Sequence, residues 1–350
     1  MGKQKQKLHV CQVMYGIDKA LAFEWISEHL GEDFDQSYIL VGSKKGHLYY
    51  YLKEKNIPVF HISFNGSKLQ YLRIVFQLYR TFRKLRPTVI HAHLFPVVPL
   101  AMLAGWIARV PRRIQTRHYS TLHYDYFPRA VFFDKLGNFF SNKIVAISKV
   151  VADTLVRREK VSERKVKVIH HGFDLSVFAS PEQREIDVLK EKYNLADYHP
   201  VIGVIARFET LKGHRYIIEA YEQLLATYPG AVLVLANAKG PQHAEFMELI
   251  RSRIPDRSYR TIAFEPKIGA LYKLMDMYVH VPIDPKIEAF GMTYVESMAA
   301  GVPAIVTLSG VAHEFIEHEH NALVVDYKDA DSILHSTQRL LKDKQLREKL

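Results

Sequence analysis

Apolar residues fall along this chain in two alternating patterns: short dense runs, and longer stretches where they return every three or four positions. In the first half, dense runs at 8–14, 37–41, 58–62, 88–93, 113–117, 143–147 and 166–170 predict strands. The helical period predicts helices over 21–30, 48–55, 69–85, 96–108 and 150–158. Over 69–85 the apolar positions are 69, 72, 75, 76, 79 and 82, so a helix with one core face and one solvated face is expected. The pattern loosens over 174–200, where charges at helical spacing predict a helix at 181–193. A second series then begins. It has strands at 201–206, 231–236, 261–264, 277–282 and 303–307, and helices at 213–228, 242–253, 292–300 and from Asp329. Such alternation implies parallel sheets covered on both faces. At 350 residues the chain is too long for one typical core. The expected architecture is α/β: two doubly wound, Rossmann-like domains, 1–178 and 179–350, facing a cleft, with ligands at the strands' carboxyl ends.

Composition narrows this picture in two ways. A chain that is 48% hydrophobic and 24% charged belongs with soluble globular proteins. Its single cysteine, Cys11, excludes an intramolecular disulfide; lying in a strand pattern, it should be a buried, inert thiol, in keeping with a reducing cytoplasm. The apolar run at 9–15 is too short and polar for a secretory signal, and position 6 is Gln where myristoylation needs Ser or Thr. The stretch 94–108, which follows the histidines at 91 and 93 and stops at Arg109, falls short of a spanning helix. The net charge of +11 is unevenly placed. Residues 1–180 hold 28 Lys and Arg against 13 Asp and Glu, and the rest hold 20 against 24. In the first half basic residues interleave with aromatics, as in Phe76-Gln-Leu-Tyr79-Arg80-Thr-Phe82-Arg83-Lys84 and in the Tyr- and Phe-rich segment 119–140. Ordinary solvated helix faces account for much of this. An anionic membrane surface is the partner it suits next, ahead of single-stranded nucleic acid.

The chemistry concentrates in two stretches of the second half. Glu288-Ala-Phe-Gly-Met-Thr-Tyr-Val-Glu296 runs on through Ser-Met-Ala-Ala-Gly-Val-Pro-Ala-Ile-Val-Thr307. Glu288 should lie in a loop at a strand's carboxyl end. A helix should start near Gly291, with Glu296 about one and a half turns in. Unpaired N–H groups and the dipole of that helix favour an anion, while the carboxylates can accept hydrogen bonds from hydroxyls. A phosphorylated, hydroxyl-rich ligand fits, and a nucleotide-sugar is the obvious candidate. Upstream, Ala206-Arg207-Phe208-Glu-Thr-Leu-Lys212-Gly213-His214 follows a strand and precedes a helix, offering a fork and a point charge to a diphosphate.

The glutamate block closely resembles the donor-site motif of retaining glycosyltransferases of the GT-B fold, family 4: Glu, seven residues, Glu, then Ala/Ser-Met-Ala-x-Gly-x-Pro. The Arg207 to Gly213 stretch is similar to that family's Gly-Arg…Lys-Gly motif, with Ala206 in place of the glycine. The resemblance implies that Arg207 and Lys212 contact the donor diphosphate, and that Phe290, Gly291, Met292 and Thr293 line the donor. It implies further that Glu288 orients the sugar's 3- and 4-hydroxyls, and that Glu296 binds the ribose. Backbone at 265–268 would meet the base, leaving UDP and GDP undistinguished. In the first half it points to His118, near the sugar, and to Gly16, where the family usually has two glycines; Lys19 could supply a charge there. His91 and His93 share a strand face, but His-Ala-His at this strand is common in the family without metal. No metal and no cofactor besides the nucleotide-sugar substrate is expected, with same-face attack and retention. The expected acceptor is lipid-linked or an envelope polysaccharide, handled by domain 1–178 on the inner face of the cell membrane; domain 179–350 would hold the donor. The family's last helix normally returns to the first domain, and the sequence stops at Leu350 before one. A GT-B epimerase or a non-catalytic GT-B subunit is the alternative.

Overall fold

The computed structural model describes residues 7–18, 21–30 and 34–350, which fall into two compact units, Met1–Phe173 and Asp174–Leu350. Lys19 lies outside the described residues. In the first unit strands β1 (Leu8–Tyr15), β2 (Phe34–Gly42), β3 (Val59–Ser63), β4 (Val89–His93), β5 (Arg112–Arg117), β6 (Lys143–Ala146) and β7 (Val166–Val168) form one sheet. Its order is β3-β2-β1-β4-β5-β6-β7 and every pairing is parallel. The connecting helices are α1 (Leu21–His29), α2 (His47–Glu54), α3 (Tyr71–Leu85), α4 (Val97–Ile107), α5 (Leu122–Tyr126), α6 (Ala130–Phe140) and α7 (Lys149–Asp153).

Both faces of this sheet are covered, as continuous apolar strands require. One core joins Cys11, Val13 and Ile90 to Ile74, Leu78 and Phe82 of α3 and to most of α4. The other packs Met14, Tyr38 and Leu40 under Phe23, Leu48 and Leu52. Cys11 is fully buried, which pushes its thiol up to about 12. Among the described residues no helix is long and apolar enough to cross a membrane.

The second unit repeats the plan with six parallel strands. These are β8 (Val201–Ile205), β9 (Val232–Ala236), β10 (Tyr259–Ile262), β11 (Met277–His280), β12 (Ala304–Val306) and β13 (Leu323–Val324), in the order β10-β9-β8-β11-β12-β13. Its helices are α8 (Ser176–Ala179), α9 (Gln183–Lys192), α10 (His214–Leu225), α11 (His243–Arg253), α12 (Ile268–Tyr272), α13 (Met292–Ala299), α14 (Ala312–Phe315), α15 (Ala330–Lys342) and α16 (Lys344–Lys349). Asp329 caps α15, its side chain accepting from the Ser332 N–H at 3.0 Å.

Three differences from the expected pattern have physical causes. Strand β10 begins two residues early because its apolar run is short and its first residues are the polar Tyr259, Arg260 and Thr261. Helices α5 and α6 and strand β13 have no clean period in the sequence, and Gly137 interrupts the aromatic run of α6. The apolar stripe over 69–82 is not a single core face. Ile74, Leu78 and Phe82 are buried, but Leu69, Leu72 and Phe76 are 94%, 84% and 57% exposed.

Candidate active site

In each sheet the strand order reverses between the first strand and the fourth. Open α/β sheets bind ligands at such switch points, beyond the carboxyl ends. In the second unit the switch lies between β8 and β11. The loop after β8 is anchored by Phe208, fully buried against Phe246 and His214. It then makes a 3-10 turn, Thr210–Lys212, and passes through Gly213 at φ +76°. A Cβ at Gly213 would lie 2.0 Å from the Val281 carbonyl oxygen, so only glycine lets this loop rest against the end of β11.

That contact sets the lysine. Lys212 Nζ donates to Glu288 Oε1 at 2.5 Å, and His280 Nε2, on the last residue of β11, donates to the same oxygen at 3.2 Å. The Glu288 N–H is held by Ser309 Oγ at 3.1 Å, and the Ser309 hydroxyl donates to the Asp284 carbonyl at 2.8 Å. Burial would raise the Glu288 pKa, but the Lys212 ammonium and His280 overcome it and hold the carboxyl well below its usual range. Burial lowers His280, against the pull of Glu288. With Nε2 donating to Glu288, His280 Nδ1 is a buried acceptor without a hydrogen-bond partner. His280 was not among the expected site residues. As the last residue of an apolar strand, it carries no signal until the fold sets it opposite Glu288.

Three residues beyond Glu288, Gly291 caps α13 at φ +87°, where a Cβ would meet the Tyr294 ring at 2.4 Å. Phe290 is buried and its carbonyl accepts from the Val311 N–H at 3.1 Å. Met292 and Thr293 form the first turn, which has no acidic residue. The leading N–H groups of α13 lack intrahelical partners and sit at the dipole's positive end. Glu296, also on α13, accepts from Tyr272 Oη at 3.0 Å, and burial pushes its pKa up to about 7.

Arg207 is exposed and pairs with Glu209 at 3.1 Å, apart from the Lys212–Glu288–His280 cluster. Beyond β10 the Glu265 side chain is committed to α9, accepting from Lys192 Nζ at 2.8 Å and from the Tyr193 hydroxyl at 2.6 Å.

In the first unit, Gly16 (φ +65°) follows β1 at the β1/β4 switch point, its N–H donating to the Val41 carbonyl at 3.0 Å. Asp18 fastens the same loop to α2, accepting from the His47 N–H at 2.9 Å. His118 follows β5 and joins a chain of imidazoles. His118 Nε2 is 3.2 Å from His93 Nδ1, and His93 Nε2 is 3.0 Å from Gln12 Oε1. Taking Gln12 as the acceptor, each ring donates inward through Nε2, and His118 presents Nδ1 as an acceptor. His171 stacks on His118 at 5.6 Å. Burial first, then the neighbouring His171 and His91, pushes His118 down to about 3, so the ring is neutral at physiological pH. His91 is turned to Thr116 Oγ1 at 2.7 Å. Next to His118, Arg117 forms a buried bidentate pair with Glu159, at 2.7 and 2.9 Å, which stiffens the strand end. Among the described residues no group of three or more His, Cys, Asp or Glu is placed to hold a metal ion.

Known proteins resemble this chain over both units. A family model described as Glycosyltransferase Family 4 matches residues 26–177, and one described as Glycosyl transferases group 1 matches residues 185–350. The chain is 24% identical over 278 residues to the alpha-monoglucosyldiacylglycerol synthase of Acholeplasma laidlawii, covering 73% of this chain and 67% of that protein. It is 22% identical over 333 residues to the capsular polysaccharide biosynthesis glycosyltransferase CapM of Staphylococcus aureus, covering 85% and 84%. It spans about half the length of several other curated relatives. Among solved structures, Anabaena HepE in complex with UDP-glucose superposes with a TM-score of 0.82 at 20% identity, over 97% of this chain and 92% of that one. At that identity the likeness speaks for the fold.

Proposed function

The chain belongs to the glycosyltransferases of the GT-B fold, enzymes that draw a sugar from a nucleotide-sugar donor, and from that premise we propose that it is a retaining, metal-independent hexosyltransferase. Its donor is a UDP- or GDP-sugar, and its acceptor is a lipid-linked or envelope-polysaccharide glycan at the inner face of the cell membrane. The observation that carries this reading is the Lys212–Glu288–His280 cluster beside the amino end of α13.

The donor diphosphate lies against the first turn of α13, where free N–H groups and the helix dipole offset its charge. Lys212 bridges from Glu288 to a phosphate oxygen, and Arg207 leaves Glu209 to provide a second cation. Glu288, kept ionised, accepts hydrogen bonds from the sugar's 3- and 4-hydroxyls. His280 fixes that carboxylate's orientation. Glu296 receives the ribose hydroxyls. The acceptor hydroxyl attacks the anomeric carbon on the face the diphosphate leaves. The C–O bond to phosphate breaks, the new glycosidic bond forms, and the departing phosphate oxygen takes the hydroxyl proton. Supporting retention is the Glu288–Glu296 block's resemblance to retaining enzymes. A neutral His118 provides a hydrogen-bond acceptor to a hydroxyl without bringing a charge.

A thermal-shift screen against UDP- and GDP-sugars tests the donor assignment. One class should raise Tm by mass action in the wild type and fail to do so in Arg207→Ala. Equal shifts in both proteins, or none with any nucleotide-sugar, would overturn it.

A further inference from the structure

One cavity of the first unit is lined by none of the residues assigned above. It encloses about 530 Å³ between the start of α3 and the α5–α6 segment, a size suited to a small organic ligand. Tyr71, Phe95, Leu122, Phe127 and Phe133 supply its walls. His123 is buried at its edge, with Nδ1 committed to Asp134 at 2.6 Å. Lys68 and Arg129 also line it.

The surface around the cavity is unusual for protein in contact with water. Leu69 and Leu72 are 94% and 84% exposed, and Phe76 follows one turn later. Across the cavity Phe127 and Phe132 are 58% and 68% exposed, and Phe132 packs edge-on to the lining Phe133. These side chains face outward although α3 already buries Ile74, Leu78 and Phe82 in the core. Exposed apolar groups clustered in this way mark an interaction surface. Charge selects the partner. From Lys55 to Tyr124 the sequence holds eleven Lys and Arg and no Asp or Glu. Arg73, Arg80, Arg83 and Lys84 are exposed on α3, and Arg80 lies over the Phe76 ring. An amphipathic helix with protruding aliphatic groups and a basic flank matches an anionic bilayer surface. Bases could stack on Phe76, Phe127 and Phe132, but the most exposed apolar groups, Leu69 and Leu72, offer them no platform and suit acyl chains instead.

We infer that this face of the first unit lies on an anionic membrane leaflet and that the cavity takes one hydrocarbon chain of an acidic lipid, its headgroup held by Lys68 and Arg129. In this arrangement Leu69, Leu72, Phe76, Phe127 and Phe132 enter the acyl boundary, and the lipid is drawn up from the leaflet beneath them. The inference deepens the proposed acceptor class and rests on it: the acceptor, or the lipid that carries it, enters through this cavity.

The test reads lipid binding by the full chain with no donor present, using two probes. The first is co-sedimentation with vesicles of phosphatidylcholine alone or with phosphatidylglycerol added. The second is phosphatidylglycerol carrying a photoreactive group on one acyl chain, with labelled residues mapped by mass spectrometry. The protein should pellet with the phosphatidylglycerol vesicles at least tenfold more than with neutral ones and lose most of that binding at high salt. Labels should fall within residues 122–133. Leu72→Glu combined with Phe76→Glu should abolish pelleting. Ala130→Trp, which fills the cavity, should abolish the label while pelleting persists. Equal binding to neutral vesicles, labels elsewhere, unchanged labelling of Ala130→Trp, or displacement by a single-stranded oligonucleotide would overturn the inference. Nucleotide-induced Tm shifts of the same variants report folding and the donor site. A wild-type protein that binds no lipid while those shifts are intact therefore sinks only this inference, and lipid binding as expected with no nucleotide-induced shift sinks only the donor assignment.

Discussion

The two sheets share a strand order yet carry different chemistry at their switch points. In the second unit the edge is ionic: a buried carboxylate held by a lysine, next to a helix amino terminus. In the first it is neutral, because His93 and His118 pass hydrogen bonds to Gln12 without a counter-ion in the chain. The topology provides a place for a ligand, and the side chains determine its charge. An ionic edge pre-organised around Glu288 suits a diphosphate and a sugar whose hydroxyls need a strong acceptor. A neutral edge suits an uncharged hydroxyl, and the cavity near α3, walled by aromatic side chains, suits a hydrocarbon chain.

The contrast breaks most sharply at Glu288. Glu288→Gln keeps the shape but removes the charge that Lys212 and His280 share, and it should lower turnover of the nucleotide-sugar by about 10²–10³-fold. Glu288→Ala should do at least as much and also leave the Lys212 ammonium half-buried without its partner, costing about 3 kcal/mol of stability. Steady-state rates with urea melts on both variants separate the two effects. A Gln variant with wild-type turnover would remove Glu288 from the proposed chemistry.

Glycines make a second, smaller comparison. Gly213 and Gly16 follow the first strand of their sheets, and both have positive φ. A Cβ at Gly213 collides with the Val281 carbonyl, whereas a Cβ at Gly16 meets nothing within 4 Å. Gly213→Ala should therefore cost about 3 kcal/mol, combining backbone strain with overpacking, and Gly16→Ala about 1 kcal/mol from strain alone. Equal losses in denaturant melts would show that the loop after β8 is looser than the contact at Val281 implies.

The same contrast explains what could be read from the sequence. The strands of the second unit and the start of α13 at Gly291 follow from dense apolar runs and a helix-opening glycine, both local signals. Glu288 and Lys212 stand in recognisable motifs, but their 2.5 Å contact links positions 76 apart. His280 was invisible because one polar residue ending an apolar strand has no periodic signature. On α3 two stripes interleave, 71-74-78-82 facing inward and 69-72-76 facing out, and periodicity alone merges them. The ion pair of Arg117 with Glu159 was equally hidden, since nothing in the sequence links residues 42 apart.

Glu296 offers a gentler probe of the ionic edge. Its pKa stands near 7 in the folded protein because burial opposes the charge, with the Tyr272 hydroxyl only partly offsetting it. The native state thus binds more protons than the unfolded chain between about pH 4.5 and 7, and stability falls as pH rises through that window. Glu296→Gln should leave stability unchanged below about pH 4.5 and raise it by roughly 3 kcal/mol at pH 8. In the same variant nucleotide affinity should drop by a few fold. Urea melts at the two pH values check the sign. A variant no more stable than wild type at pH 8 would mean that the carboxyl is solvated.

The neutral edge should show the smallest effect where an ordinary histidine shows the largest. His118 holds its neutral form down to about pH 3, while the unfolded chain takes up that proton near 6.5. The native state therefore binds fewer protons between those values, and stability drains away as pH falls from about 6.5. In the folded protein, however, the ring itself does not change. Carbon chemical shifts of His118 should stay flat from pH 8 to 5, and the acceptor side of the rate profile should be flat with them. An imidazolium appearing by pH 5.5 would show that the His93–His118 chain admits water, and with it the distinction between an ionic edge and a neutral edge would fail.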